Sequence, residues 1–189
     1  MIFTHNDYIT EPLEATIGCH EFIADFANPQ RFEQCCQECP AYGRRWGCPP
    51  HDIDWMEKLA AYSRVLIVGT KITPHDMSLP ADISLDLMRP ETDKLNRRLL
   101  DLERETSGTA LGFAGKCPYC GELPCTRPQG LPCRHPELVR PSLEAVGFDV
   151  ERTCSELLRT PLQWSRDGHL PPYLVIVGAL FYNHTRIGH

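Results

Sequence analysis

The 189-residue sequence has no apolar run able to cross a membrane; the longest, Tyr173 to Tyr182, is far short of the ~20 residues a spanning helix needs. Its N-terminal stretch, MIFTHNDYITEPLEA, lacks both the basic flank and the apolar segment of a secretory leader. A cytoplasmic protein is therefore expected. There is no P-loop, no G-x-G-x-x-G and no Ser-His-Asp order, so neither nucleotide binding of those kinds nor triad hydrolysis has support. Gly69 and Gly178 sit inside apolar strand-like runs and read as close-packing positions. An excess of positive charge is missing too: 19 Lys and Arg against 25 Asp and Glu leave a net charge of -6. That balance argues against nucleic acid or an anionic membrane as the main partner. The two cysteine-rich loops described below differ in spacing, and no other internal repeat is visible.

What is present is enough for one core. A chain of this length with 42% hydrophobic and 23% charged residues suits one soluble domain spanning residues 1–189. Residues 15 to 26, ATIGCHEFIADF, read as a strand, and Gln30 to Gln34 as a helical turn. DIDWMEKLAAY has helical spacing, with Asp52 or Asp54 as its cap. RVLIVGTKI, Arg64 to Ile72, is β-branched and nearly continuous, as in a strand buried on both faces. Thr73 to Arg89 reads as a loop with one helical turn. Pro90 then suits a helix first turn ahead of Leu95, Leu99 and Leu102 at i, i+4 and i+7. TALGFAG reads as a short strand, SLEAV as a short helix capped by Ser142, Glu151 to Arg159 as a helix, and PPYLVIVGALFY as the strongest strand. The expected class is α+β, a small mostly antiparallel sheet with helices on one face.

Eight of the ten cysteines fall in two loops, residues 35–51 and 116–140. The downstream loop carries Cys117, Cys120, Cys125 and Cys133 as C-x2-C-x4-C-x7-C; the upstream one carries Cys36, Cys39 and Cys48 as C-x2-C-x8-C, with Cys35 adjacent. In a reducing compartment such C-x2-C turns read as metal sites, because both sulfurs face one side of a tight loop. Four thiolates suit tetrahedral zinc or the corners of a [4Fe–4S] cluster. The downstream loop supplies four by itself. The upstream loop is one ligand short, with Cys35, Cys19 and His51 as further candidates. Both loops with their flanks are net positive, through Arg31, Arg44 and Arg45 upstream and Arg127, Arg134 and Arg140 with Lys116 downstream, which suits an anionic thiolate-ligated cofactor or simply a solvated loop. Tyr42 and Trp46 fit loop packing, a wall against water, or both. His135, close after Cys133, fits a ligand or a hydrogen-bond donor, and its place before Pro136 fits a turn better. Cys19 and Cys154 lie within predicted elements and read as buried apolar thiols.

CPAYGRRWGCPP upstream, together with PCRHPELVRPSLEAVGFDV downstream of a C-x2-C, resembles DUF2284, a family of prokaryotic predicted metal-binding proteins. The likeness runs from about Cys36 to about Thr153. It implies a cytoplasmic cysteine-ligated metalloprotein with an iron–sulfur cluster, and carries over Cys36, Cys39 and Cys48 in one motif and Cys117, Cys120, Cys125 and Cys133 in the other. The doubled Cys35-Cys36 departs from the pattern, in which the second cysteine suffices.

The leading expectation is an iron–sulfur protein with one or two [4Fe–4S] clusters, acting in electron transfer with a redox partner protein, its clusters tuned by Arg134 and Arg140. The alternatives are a zinc-stabilised binding module and an enzyme with an open-site cluster at Cys36, Cys39 and Cys48.

Overall fold

A computed structural model describes residues 3–4, 6–112, 115 and 117–183. Its frame is a four-stranded sheet of order β1-β2-β4-β3, antiparallel throughout. Strand β1 (Tyr8–Gly18) runs along the whole of β2 (Arg64–Pro74), from Tyr8 opposite Pro74 to Gly18 opposite Arg64. Strand β4 (Leu174–Tyr182) lies on the other side of β2, and the short β3 (Thr109–Leu111) closes the far edge.

The two central strands alternate between two cores, as period-2 side chains must when both faces are covered. Val65 and Ile67 of β2 join Val177, Ala179 and Phe181 of β4 in one cluster, while Val68 and Ile72 join Ile176 and Leu180 in the other. Helices cover both faces. Helix α1 (Cys19–Phe26) and α3 (Trp55–Ala60) pack on the first, where the Phe22 ring stacks on Phe148 with centroids 4.6 Å apart. Helix α4 (Ser84–Thr106) covers the second through Leu87, Leu95 and Leu99. The α+β class and the antiparallel sheet agree with the sequence; the gathering of helices on one face does not, because both central strands are apolar on both sides. At Gly178 an added Cβ would stand 2.6 Å from the Leu111 carbonyl oxygen and from Leu99, so bare backbone is required there, as read from the sequence.

Several local expectations are corrected. The stretch from Ala15 is a strand only as far as Gly18; Cys19 to Phe26 is helical, which puts Cys19, Phe22 and Phe26 on one buried face. Pro90 does not begin its helix. It lies inside α4, which starts at Ser84 after a 3-10 turn at Ala81–Ile83. Burial of Leu87 and Met88 ahead of the proline, with the Tyr8 hydroxyl donating to buried Glu91 at 3.1 Å, offsets the backbone hydrogen bond that Pro90 cannot make. Helix α2 (Pro29–Gln37) extends the short turn expected there, with Asn28 accepting from the Arg31 N–H at its start. Asp54 rather than Asp52 caps α3, accepting from the Glu57 N–H at 3.0 Å. The helix expected over Glu151 to Arg159 is a turn, α5 (Val150–Arg152), running into the π-helical Thr153–Leu157. SLEAV forms a 3-10 turn at Glu144–Val146, and the Ser142 hydroxyl accepts from the Ala145 N–H. Phe113 and Ala114 of the expected TALGFAG strand, like Lys116, lie outside the described residues. No helix among the described residues is long and apolar enough to cross a membrane.

Candidate metal centre

The sheet edge sets the mouth of the downstream loop. Its chain leaves at Gly112 beside β3 and returns at Pro141-Ser142, where the Gly112 N–H donates to the Pro141 carbonyl at 2.8 Å. Just before that return, Arg140 reaches back to α4 and meets Glu103 through Nε, at 3.0 and 2.9 Å, and through Nη2. The same guanidinium donates to the Val139 carbonyl. Burial pushes the Glu103 carboxyl up, but the Arg140 hydrogen bonds and the Ala110 N–H outweigh it and leave the group below its usual range. Arg140 thus fastens the loop to the helix.

Within the loop, tight turns replace regular structure. The N–H of Gly121 donates to the Pro118 carbonyl and that of Leu123 to the Cys120 carbonyl, with Gly121 at φ 59°, where glycine is favoured. A 3-10 turn at Arg127–Gln129 follows and is closed by Gly130 at φ 68°. These turns set Cys117, Cys120, Cys125 and Cys133 around one cavity of about 230 Å³, which Trp46 and Arg45 of the upstream loop also line. Burial is the largest influence raising the Cys117 thiol, and its neighbours Cys120, Cys133 and Cys125 add to the rise. Among the described residues, three of the sulfurs have hydrogen-bond donors. The Tyr119 N–H points at Cys117, the His135 N–H at Cys133 at 3.4 Å, and Arg134 Nη1 at Cys120 at 3.6 Å. Donors of this kind stabilise thiolate over thiol. Among the described residues, no three His, Cys, Asp or Glu side chains are grouped closely enough to hold a single metal ion.

The upstream loop runs from the end of α2 to the start of α3 through successive turns. Cys39 N–H donates to the Cys36 carbonyl, Tyr42 to Cys39, Arg44 to Ala41, Cys48 to Arg45, and Gly43 to Pro49. Burial raises the Cys36 thiol to about 11, with Glu33, Cys48, Cys39 and Glu144 adding to the rise. Burial also raises Cys48, against the opposing pull of Arg45 and Arg127. Cys36, Cys39 and Cys48 therefore share one electrostatic neighbourhood. Cys48 also feels Cys117, and the two line a common cavity between the loops, so the arrays are neighbours in space despite their separation in sequence.

Cys19 and His51, two of the further candidates for a fourth upstream ligand, are engaged elsewhere, whereas Cys35 is exposed, as Cys39 is. The Cys19 thiol is buried and donates to the Leu59 carbonyl at 3.2 Å, and His51 Nε2 stands 3.1 Å from the Ala145 carbonyl. Cys35 is exposed, and Cys154 is wholly buried with its thiol pushed up to about 12 by burial. Tyr42 donates to Glu33 at 2.5 Å, which is packing; Trp46 packs and also walls the four-cysteine cavity.

Arg134 stands on a sulfur, whereas Arg140 stands on Glu103. Sequence reading counted Arg127 only as loop charge, yet it holds the loops together. Its guanidinium donates to the carbonyls of Arg45, at 2.6 Å, and of Cys48 and Pro50, and lies 5.5 Å from the Trp46 ring centroid. Thr126 was missed as well; it is buried, accepts from Trp46 Nε1 at 3.1 Å and donates to the Pro132 carbonyl at 2.8 Å. The one available signal was their place immediately after Cys125, before a proline and a glycine that could close a turn.

No curated protein and no solved structure matches the chain. The family model of a predicted metal-binding protein, DUF2284, matches residues 24–181, a span that takes in both cysteine loops and all of the sheet but β1 and the last residue of β4. The chain belongs to the DUF2284 family of predicted metal-binding proteins.

Proposed function

We propose that this metal-binding protein is an iron–sulfur protein that serves in electron transfer or as a redox accessory, with a [4Fe–4S] cluster held by Cys117, Cys120, Cys125 and Cys133. The observation that carries the reading is the downstream cavity, lined by all four cysteines and supplied with N–H donors to three of their sulfurs. A zinc ion with bonds of about 2.3 Å to four sulfurs would draw them within about 4 Å of one another. Four sulfurs around one shared cavity also suit the four corners of a cubane cluster. Such a cluster supplies one-electron chemistry, at a potential set by net charge, hydrogen bonds to sulfur and exposure.

The chain's own residues do the rest. Arg134 and the amides of Tyr119 and His135 place positive charge and donors on the sulfurs, which would tune the potential of a bound cluster. Trp46 closes one wall of the cavity, and Arg140 fixes its frame against Glu103. We place the protein in the cytoplasm beside a redox partner protein, since reduced thiols need a reducing compartment and the acidic charge weighs against nucleic acid and anionic membrane.

A second reading applies to the upstream triad. With Cys19 and His51 both hydrogen-bonded elsewhere, Cys36, Cys39 and Cys48 form a three-sulfur set. That favours a second group with a coordination position left for a small molecule, the arrangement of an enzyme.

Anaerobic purification followed by iron, sulfide and zinc analysis, with visible and EPR spectra, tests the proposal. The expected protein is brown, holds about four iron and four sulfide per cluster and gives an EPR signal on reduction. Colourless protein with stoichiometric zinc and no iron overturns it.

A further inference from the structure

We infer that Arg127 is the positioning residue of the upstream triad: from the downstream loop it holds Cys48 in place, so that the triad takes metal only where the downstream loop is already folded. The metal half of this inference rests on the proposed function; the positioning half does not.

The contacts are directional. Arg127 stands on a platform that the downstream loop makes for itself. Gln129 N–H donates to the Thr126 carbonyl at 3.0 Å, Gly130 to Arg127 at 2.9 Å and Leu131 to Thr126 at 3.3 Å, while the Thr126 hydroxyl is held by Pro132. From that platform one guanidinium reaches three carbonyls spread over Arg45 to Pro50, bracketing Cys48 on both sides. A planar fork with five donors can satisfy three such acceptors at once, which an ammonium on a flexible stem does poorly. Trp46 is tied the same way, through Thr126 and beneath the guanidinium. Among the described residues the upstream loop returns less, the Trp46 bond to Thr126 and one from Arg45. Arg45 Nη1 donates to the Gly115 carbonyl at 3.1 Å, ahead of the four cysteines rather than among them. The turn bonds near Cys48, from Cys48 to Arg45 and from Gly43 to Pro49, span only a few residues. The upstream loop has turns of its own, but the stretch from Arg45 to Pro50 also rests on the Arg127 guanidinium, whereas the backbone turns of the downstream loop do not use that guanidinium.

The test uses the full-length protein in two forms. In the metal-free, reduced form, the alkylation rate of each cysteine by iodoacetamide is followed by mass spectrometry. Arg127→Ala is expected to speed Cys48 by at least about tenfold, the worth of one charge-assisted hydrogen bond, with Cys120 and Cys133 unchanged. The direction is diagnostic, because loss of a nearby cation favours the unreactive thiol and by itself slows alkylation. Arg127→Lys keeps the charge but not the fork, and is expected to leave Cys48 fast. After reconstitution, both variants are expected to lose the upstream share of metal and keep the downstream spectrum. An unchanged Cys48 rate overturns the inference, as does equal acceleration of Cys120 and Cys133, which would mean that the loops come apart together. Wild-type protein that takes up no metal overturns the metal reading alone, since the alkylation pattern is measured without metal.

Discussion

The two cysteine loops solve the same problem by different means. The downstream loop is anchored at both ends to regular structure, by the Gly112–Pro141 backbone bond and by Arg140 on Glu103, and its four cysteines face one cavity. The upstream loop hangs between α2 and α3 on short turns, with the three-cysteine motif Cys36, Cys39 and Cys48 and a borrowed guanidinium. A loop without strands or helices saves little backbone entropy by its own contacts, and its order must come from its anchors and its ligand. On the inference drawn above, the difference between the loops is one of dependence: the upstream site leans on the downstream loop more than the reverse.

The largest effect expected from that difference is an asymmetric loss of metal. Replacing Cys120 and Cys133 together with Ser removes two ligands of the downstream set and unsettles the segment that carries Arg127. Metal per chain is expected to fall close to zero. Replacing Cys36 and Cys39 with Ser is expected to remove only the upstream share, with the downstream visible and EPR signals retained. Metal analysis of the two variants side by side measures this. Equal losses from both would break the comparison.

A middle effect is expected at the Glu103–Arg140 anchor. Glu103→Gln replaces the carboxylate under a partly buried guanidinium and is expected to cost about 2 kcal/mol in denaturant unfolding, the range for hydrogen bonds to charged groups. The pH dependence has a definite sign. Glu103 is held below its ordinary value, so its contribution is fully present above that ordinary value and is lost as pH falls through the depressed one. Wild type is thus expected to lose stability on acidification at a step that the Gln variant lacks. A wild-type unfolding profile that parallels the variant's at every pH would detach the anchor from the loop's stability.

How far the sequence could be read follows the same division. The central strands were legible because nearly continuous β-branched runs permit little else, and the pairing of Val65 and Ile67 with one core and Val68 and Ile72 with the other follows from period 2. The cysteine spacing located both loops. The helix Cys19–Phe26 was misread because Phe22, Ile23 and Phe26 satisfy strand and helix spacing alike over so short a span. The early start of α4 was hidden by Pro90, whose local preference is overruled by the burial of Leu87. The roles of Arg127 and Thr126 could not be read at all, since each is defined by carbonyls or an indole some eighty residues away in sequence. Side chains that serve other backbones leave no periodic trace.

The smallest effect tests the link between the loops where no charge is involved. Thr126→Val keeps the shape of the buried side chain and removes its hydroxyl, which leaves Trp46 Nε1 without its acceptor and the Pro132 carbonyl without that donor. One net hydrogen bond is worth about 1 kcal/mol, and a buried partner left unsatisfied adds to the loss. Because the Arg127 bonds remain, Trp46 is expected to loosen while Cys48 stays in place. Quenching of tryptophan fluorescence by acrylamide should rise, and the alkylation rate of Cys48 should stay within a few-fold of wild type. If Cys48 is freed as fully as in Arg127→Ala, the indole rather than the guanidinium is the tie between the loops, and the dependence of one site on the other runs through packing instead of charge-assisted hydrogen bonds.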